Sequence, residues 1–382
     1  EKLGLPRVCL RLSTRGATAS RSFSTSTTAA PSQKVRVLVS KSHNPFFNLA
    51  TEEWLFRNGD ISRPTLFLWR NEPTVVIGRC QNPWKECDLN KMRDKSVHLT
   101  RRYSGGGTVF HDLGNTNFTF LTSLANHDKE RNSKIIIDAL STFGLSAETS
   151  GRNDITIDGF KVSGAAYKLA PPRALHHGTL LINVDMSVLA GLLNPNKLKL
   201  QSKGIASVAS RVKNLSTLCP AINHESLSKA IIASFCNYYG EPGAEAEELD
   251  PSYLSSVEQL EKVYQEMKND SWRFGMSPDF THNLEGRFES PSPWGTIDIH
   301  IQSSKGQIDA AQVYSDSLHP DLIELLMQNL SGLPYSPAGV DEALAKTGRA
   351  AAAMGDRLGL PDLSRDLQEL GRWLKASLSC VC

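Results

Sequence analysis

The chain has 382 residues, 40% of them hydrophobic and 21% charged, enough for two domains with sizeable cores. Its net charge of +2 argues against a dedicated nucleic-acid binder, and it has no run of about 18 apolar residues to span a membrane. Its seven cysteines are scattered without CxxC pairs, so they read as reduced thiols rather than a disulfide framework or zinc site.

Residues 1–30 carry Arg7, Arg11, Arg15 and Arg21, ten Ser/Thr and one acid, Glu1. That is the composition of a mitochondrial presequence, so 1–34 is expected to be a disordered, cleaved leader directing the chain to the matrix. "VRVLVS" at 35–40 alternates like a strand. In "HNPFFNLATEEWLFRNGD", Asn44 can cap a helix, Pro45 suits its first turn, and Asn58-Gly59 stops it. "TLFLWR" and "TVVIGR" predict two strands around a turn at 71–73. "SVHLT" enters a glycine loop as a strand, "TVF" leaves it as another, and "NFTFLT" is a third. "SKIIIDALSTFG" is a helix ended by Gly144. "TLLINVDM" reads as a strand, "HESLSKAIIASFCNYYG" as a helix, "EPGAEAEELDPS" as an acidic surface connection, and "YLSSVEQLEKVYQEMKN" as a helix. After Trp272 come hairpin strands in "THNLEGRFES" and "GTIDIHIQSSKGQIDAAQVYSD", then helical segments near 320–330 and 341–377. Strands and helices mix without regular βαβ alternation, so the fold class is α+β: residues 35–275 as one domain and 276–382 as a small second one.

The densest signal is "RRYSGGGTVFHD" at 101–112. It is neither a GxxxxGK[ST] phosphate loop nor GxGxxG, and it sits between strands, so no helix N-terminus faces a ligand. Consecutive glycines let several amides converge and a ligand approach the backbone. Arg101 and Arg102 occupy adjacent strand positions and point to opposite faces, so one of them is expected to reach the ligand. A glycine-rich hairpin with exposed arginines would look the same.

A further cation comes from "GRNDITIDGFKVSGAAY". Asp158-Gly159 is a type I′ hairpin turn. It pairs Ile157 with Phe160, Thr156 with Lys161, Ile155 with Val162 and Asp154 with Ser163. Ile155, Ile157, Phe160 and Val162 then share an apolar face, and Asp154, Thr156, Lys161 and Ser163 a polar one. The polar face is either a solvated surface or a place where Lys161 meets a phosphate and Asp154 its metal.

Together, "NPFFNLATEEWLFR", "LFLWRNEPTVVIGRCQNPWKEC", "RRYSGGGTVFHDLGNTNFTF", "SGRNDI", "KVSGAAY", "HHGTLL" and "KGIASVASRVKNL" resemble the lipoate–protein ligase A family in its order, from about 35 to 275. "AQVYSDSLHP" is similar to the C-terminal domain of the long bacterial-type ligases. The resemblance implies a mixed-sheet catalytic domain like that of biotin and lipoate ligases, with a small accessory domain. It also implies a two-step reaction. Lipoate and ATP, carried with Mg2+, give lipoyl-AMP and pyrophosphate; the lipoyl group then passes to a lysine of a lipoyl domain, on the E2 subunits of 2-oxoacid dehydrogenases or the glycine-cleavage H protein. No permanently bound cofactor, nucleic acid or membrane partner is expected.

By that resemblance Lys161 is catalytic and touches both phosphate and lipoate. Arg102, Gly107, Thr108, Val109 and Phe110 contact the nucleotide. Trp69, Arg102, Ser104, His111, Lys161 and His177 build the lipoate pocket, and Asp154 meets the metal. Residues 203–211 are similar to a mobile adenylate-binding loop, and Tyr103 stands where many members have a small residue. Trp69, Val75, Ile77 and Phe110 could line a slot for the apolar dithiolane, and each could equally be core. His111 and His177 could be structural histidines. The closest rival is an acyltransferase that moves lipoyl or octanoyl groups between proteins without ATP; its cysteine-dependent form lacks a cysteine beside the glycine loop or the KVSG strand. A nucleic-acid module would spread basic and aromatic residues along a groove, whereas here they are concentrated in one loop.

Overall fold

The computed structural model describes residues 35–151, 153–192, 200–202, 211–289, 292–317, 319–354 and 362–379. The expected leader, Arg152 and all of the 203–211 loop but Arg211 lie outside them. The described residues build an α+β fold on one large sheet and two smaller ones.

The eight-stranded sheet contains β1 (Arg36–Ser40), β2 (Thr65–Trp69), β6 (Asn115–Ser123), β7 (Glu148–Ser150), β8 (Asp154–Ile157), β9 (Phe160–Ala170), β10 (Arg173–Leu181) and β12 (Ala246–Leu249), in the order β12-β1-β2-β6-β10-β9-β8-β7. The strands are parallel from β12 to β2 and antiparallel from β2 to β7. Its central strands are buried on both faces. Leu38, Phe67 and Trp69 pack toward α1 (Pro45–Asn58) and α8 (Glu258–Lys268); Val37, Leu66 and Leu68 pack toward α4 (Lys129–Ser141) and α6 (His224–Tyr238). This two-sided cover explains the near-continuous apolar runs in "TLFLW".

Asn44 caps α1 as its sequence signals, accepting from the amides of Phe46 and Phe47. The "acidic connection" is more ordered than its composition suggests. It contains β12, which adds to β1 in parallel and is tied by Arg36–Glu247 and Lys41–Glu248 ion pairs. Strands β2 and β3 (Thr74–Ile77) flank a turn but enter different sheets. β3 sits between β4 (His98–Arg101) and β5 (Val109–His111) in a three-stranded sheet. That sheet packs on α3 (Leu89–Asp94) and α5 (Met186–Leu192). Two short helices, α7 (Ser252–Ser256) and α9 (Asp270–Arg273), bracket α8.

Past 275, β13 (Phe280–Arg287), β14 (Thr296–Ser304) and β15 (Gln307–Ser315) pack on α10 (Pro320–Leu330), α11 (Pro337–Met354) and α12 (Leu363–Ser379). Upstream chain enters this layer twice. β11 (Leu200–Ser202) pairs with β13, and Trp84 of α2 (Pro83–Glu86) lies within ring contact of Phe274, Phe280 and Tyr335.

Candidate active site

The 154–163 hairpin turns at Asp158-Gly159 with both φ positive, as type I′ geometry requires. Its register departs from the simple count. A bulge between Ile155 and Thr156 pairs Ile155 with Ser163 and Asp154 with Gly164, leaving Val162 extra. Val162 and Ser163 are both fully buried, while Phe160, expected on the apolar face, is exposed under the Lys213 ammonium. Asp154 and Lys161 nevertheless meet, Nζ to Oδ1 at 2.9 Å. The lysine backbone is pinned too, donating to Arg211 O and accepting from Lys213 N. Its side chain lies across Gly164: a Cβ there would stand 2.9 Å from Lys161 Cε and 3.0 Å from Nζ.

A cavity of about 440 Å3 opens between the large and the three-stranded sheets. Lys161, Asp154 and Asn153 line it, with Gly106, Gly107, Thr108 and Val109 of the glycine loop, and Trp69, Arg102, His111 and His177. Trp69, Asn117, Thr179 and Gly164 lie in a row across β2, β6, β10 and β9. At roughly 4.8 Å per strand, that row measures about 14 Å from the tryptophan to the glycine under Lys161. The cavity therefore has a cationic end at Lys161 and an aromatic end at Trp69.

Arg101 and Arg102 do point apart. Arg101 is fully buried away from the cavity, donating to the carbonyls of Gly78, Arg79, Gln81, Trp272 and Arg273. Arg102 lines the cavity, but its donors are spent on the loop itself. It bonds Ser104 Oγ and the carbonyls of Val76, Gly105 and Gly107. Burial draws both guanidinium groups down to about 10, and both stay charged at neutral pH. The loop is folded around its arginine, with Gly106 at φ +89.

Behind the loop runs a buried relay absent from the sequence reading. His177 Nε2 meets Ser104 Oγ at 2.8 Å, and His177 Nδ1 meets Glu52 at 2.8 Å. Thr119 Oγ1 donates to Glu52 and accepts from Trp69 Nε1. The relay fixes Trp69, Ser104 and His177 in place. Ser104 itself is buried beneath the cavity wall rather than part of it. The signal for Glu52 was present: adjacent carboxylates, Glu52 and Glu53, in a helix with no polar face. Glu53 is also buried, paired with Lys168 and Arg57.

His111 is buried against Asn71 and edge-on to Trp69. Burial, with repulsion from Arg102 and His177, draws its imidazole down to about 3. Of the expected slot-lining residues Trp69 lines the cavity, and on the two strands of the small sheet the expectation misses by one position. Val75, Ile77 and Phe110 turn into the core beneath the small sheet, and Val76 and Val109 face the cavity. The Phe110 side chain is thus core. Tyr103 faces neither side of the cavity; it stacks on Trp272 at 4.1 Å, with Arg57 and Lys168 each 4.8 Å from its ring. Among the described residues no cysteine lines the cavity; Cys87 is buried in the core and Cys80 is exposed. The described residues contain no cluster of three metal-ligating side chains. Asp154 alone suits an ion that arrives on phosphates and keeps most of its ligands from them.

A concave cavity with a few convergent polar groups and a paired lysine is the mark of a small-molecule site rather than a flat binding surface. Residues 44–236 match the lipoyl protein ligase A/B catalytic domain, and 277–358 match the bacterial lipoate protein ligase C-terminus. The lipoate-protein ligase A of Psychrobacter cryohalolentis is 45% identical over 345 residues, 89% of this chain and 98% of that protein. That of Bdellovibrio bacteriovorus is 45% identical over 346 residues, 90% of this chain and 98% of its own. The lipoate complex of P. falciparum LipL1 superposes with a TM-score of 0.58 at 31% identity, covering 89% of this chain and 98% of that one. The chain belongs to the lipoate–protein ligase A family.

Proposed function

We propose that this enzyme is an ATP-dependent lipoate–protein ligase that activates lipoate as lipoyl-AMP and passes the acyl group to a lysine of a lipoyl domain. The observation that carries this reading is the single cavity joining Lys161 and Asp154 to an aromatic end at Trp69. The roughly 14 Å row accommodates an extended eight-carbon acid with its carboxylate at the lysine.

The attack of a carboxylate on a phosphate brings two anions together. Lys161 Nζ offsets their repulsion and stabilises the charge that grows on the α-phosphate and, later, on the acyl carbonyl. Backbone groups of Gly107–Phe110 hold the nucleotide, which requires no Phe110 side chain. Asp154 holds Lys161 in place and offers one carboxylate to phosphate-borne Mg2+. The relay from Glu52 to Trp69 shapes the acyl slot. Transfer without ATP receives less support: among the described residues no cysteine lines the cavity, and the relatives are named as ligases. Acceptors are lipoyl domains of 2-oxoacid dehydrogenase E2 subunits and the H protein. The Arg- and Ser-rich, acid-poor composition of residues 1–30 supports a role for that segment in matrix import.

Lipoate-dependent ATP–pyrophosphate exchange by the purified chain tests the activation step; absence of exchange, with transfer from an acylated donor protein retained, would establish the rival. Deleting residues 1–30 should leave exchange intact and abolish mitochondrial import. Import of the shortened chain would contradict the leader.

A further inference from the structure

We infer that Gln81 is a positioning residue for the nucleotide: from behind the glycine loop its side chain anchors Thr108, and with it the stretch of backbone that takes ATP, to the 78–81 turn. This rests on the proposed function, which assigns residues 107–110 to the nucleotide.

Gln81 is only 1% exposed and is not among the residues lining the cavity, so it acts through others. Its Oε1 lies 2.9 Å from Gly78 N and 2.9 Å from Thr108 Oγ1. A main-chain N–H can only donate, so this atom is the amide oxygen, and the threonine hydroxyl must donate to it. One acceptor thus ties the turn to the loop. Thr108 itself lines the cavity.

The turn is a firm base. Gln81 N closes it on Gly78 O at 3.1 Å, and Arg101 Nη1 gathers the carbonyls of Gly78, Arg79 and Gln81. Loop and turn then meet at three places. Where the loop begins, Arg79 N donates to Ser104 O at 2.9 Å. At its apex the two backbones approach so closely that a Cβ on Gly78 would stand 2.2 Å from Gly106 O. Where the loop ends, the contact is the Thr108 hydroxyl on Gln81. Between these points Gly105 and Gly106 are exposed, and glycines have no side chains with which to hold a conformation. Arg102 Nη2 fixes the loop from its other side, through the carbonyls of Gly105 and Gly107. The peptide joining Gly107 to Thr108 is therefore held at both ends, by Arg102 at its carbonyl and by Gln81 just beyond it. Removing the Gln81 acceptor releases the second end. The aromatic end of the cavity is held separately, through the bonds from Glu52 to His177 and, by way of Thr119, to Trp69. Loss of Gln81 should therefore be felt by the nucleotide and not by the acyl chain.

The test measures KM for ATP and KM for lipoate separately, in lipoate-dependent ATP–pyrophosphate exchange by the full chain. Gln81→Met keeps the length of the side chain and removes the acceptor; Thr108→Val keeps the shape and removes the donor. Each should raise KM for ATP about tenfold while KM for lipoate stays within about twofold. The double variant should be no worse than the poorer single one, because both remove the same bond. Thr108→Ser, which keeps the hydroxyl, should recover most of the loss seen in Thr108→Val. An unchanged KM for ATP in Gln81→Met overturns the inference. So do single effects that multiply in the double variant, or that fall equally on both substrates. Should Gln81→Met fail to fold, the two threonine variants decide. Thr108→Val at the wild-type KM for ATP, or Thr108→Ser no better than Thr108→Val, overturns the inference as well. If lipoate supports no exchange by the wild type, the functional reading itself fails, which is a different result from exchange indifferent to Gln81.

Discussion

Lys161 and Gly164 are best understood together. The lysine reaches Asp154 only because position 164 offers no Cβ to the ammonium lying across it. Gly164→Ala should therefore leave the fold intact, since the obstructing atoms are the far end of a flexible chain, yet push Nζ off its position. Exchange should fall by about tenfold or more, because an ångström of misplacement at a reacting centre costs on that order. An alanine variant with wild-type exchange would show that the lysine position is not critical. Much of this site was legible from residue types: adjacent arginines diverge on a strand, and Asp154 and Lys161 meet across the hairpin. The bulge was not legible: Val162 packs with Ile155 and Ile157 as simple alternation assigns, but polar Ser163, assigned to the open face, is fully buried beside it. Nor was the work of Arg102, since nothing local says that a loop will turn its carbonyls onto its own arginine.

At the scale of elements, α1 and β10 carry most of what the sequence hid. An amphipathic reading of α1 finds no polar face, because most of the helix is buried and its carboxylates point inward to His177 and Lys168. On β10, adjacent His176 and His177 face opposite sides of the sheet. His176 is buried against Phe118, Phe120 and Tyr167, and burial, with His177 nearby, draws it down to about 3. A folded value below the unfolded one near 6.5 means that the stability is fully present above that pH and is lost as pH falls toward 3. Between pH 7 and 5, His176 and His111 should each cost about 2 kcal/mol. His176→Phe keeps the ring packing and should remove its share of the loss in urea unfolding at the two pH values. Equal pH dependence in variant and wild type would contradict this. Strand β12 was missed for the opposite reason. Its acidic residues are exposed on a sheet edge, where composition resembles a loop.

For the whole molecule, the change of texture near 275 marks where the last sheet begins, but the chain does not divide cleanly there. Trp84 is almost fully buried among residues of the later segment, and Arg101 holds the carbonyls of Trp272 and Arg273. Trp84→Ala should destabilise the chain by about 3–5 kcal/mol; a loss under about 1 kcal/mol would show that the two layers are energetically separate. In the proposed reaction one lysine, Lys161, serves both half-reactions. The direct test is single-turnover transfer from synthetic lipoyl-AMP to a lipoyl domain by Lys161→Ala, run beside lipoate-dependent pyrophosphate exchange. Both should fall by about 10² to 10³, with the thermal midpoint unchanged. A variant near normal in both assays would contradict the site as described, and one defective only in exchange would confine Lys161 to activation.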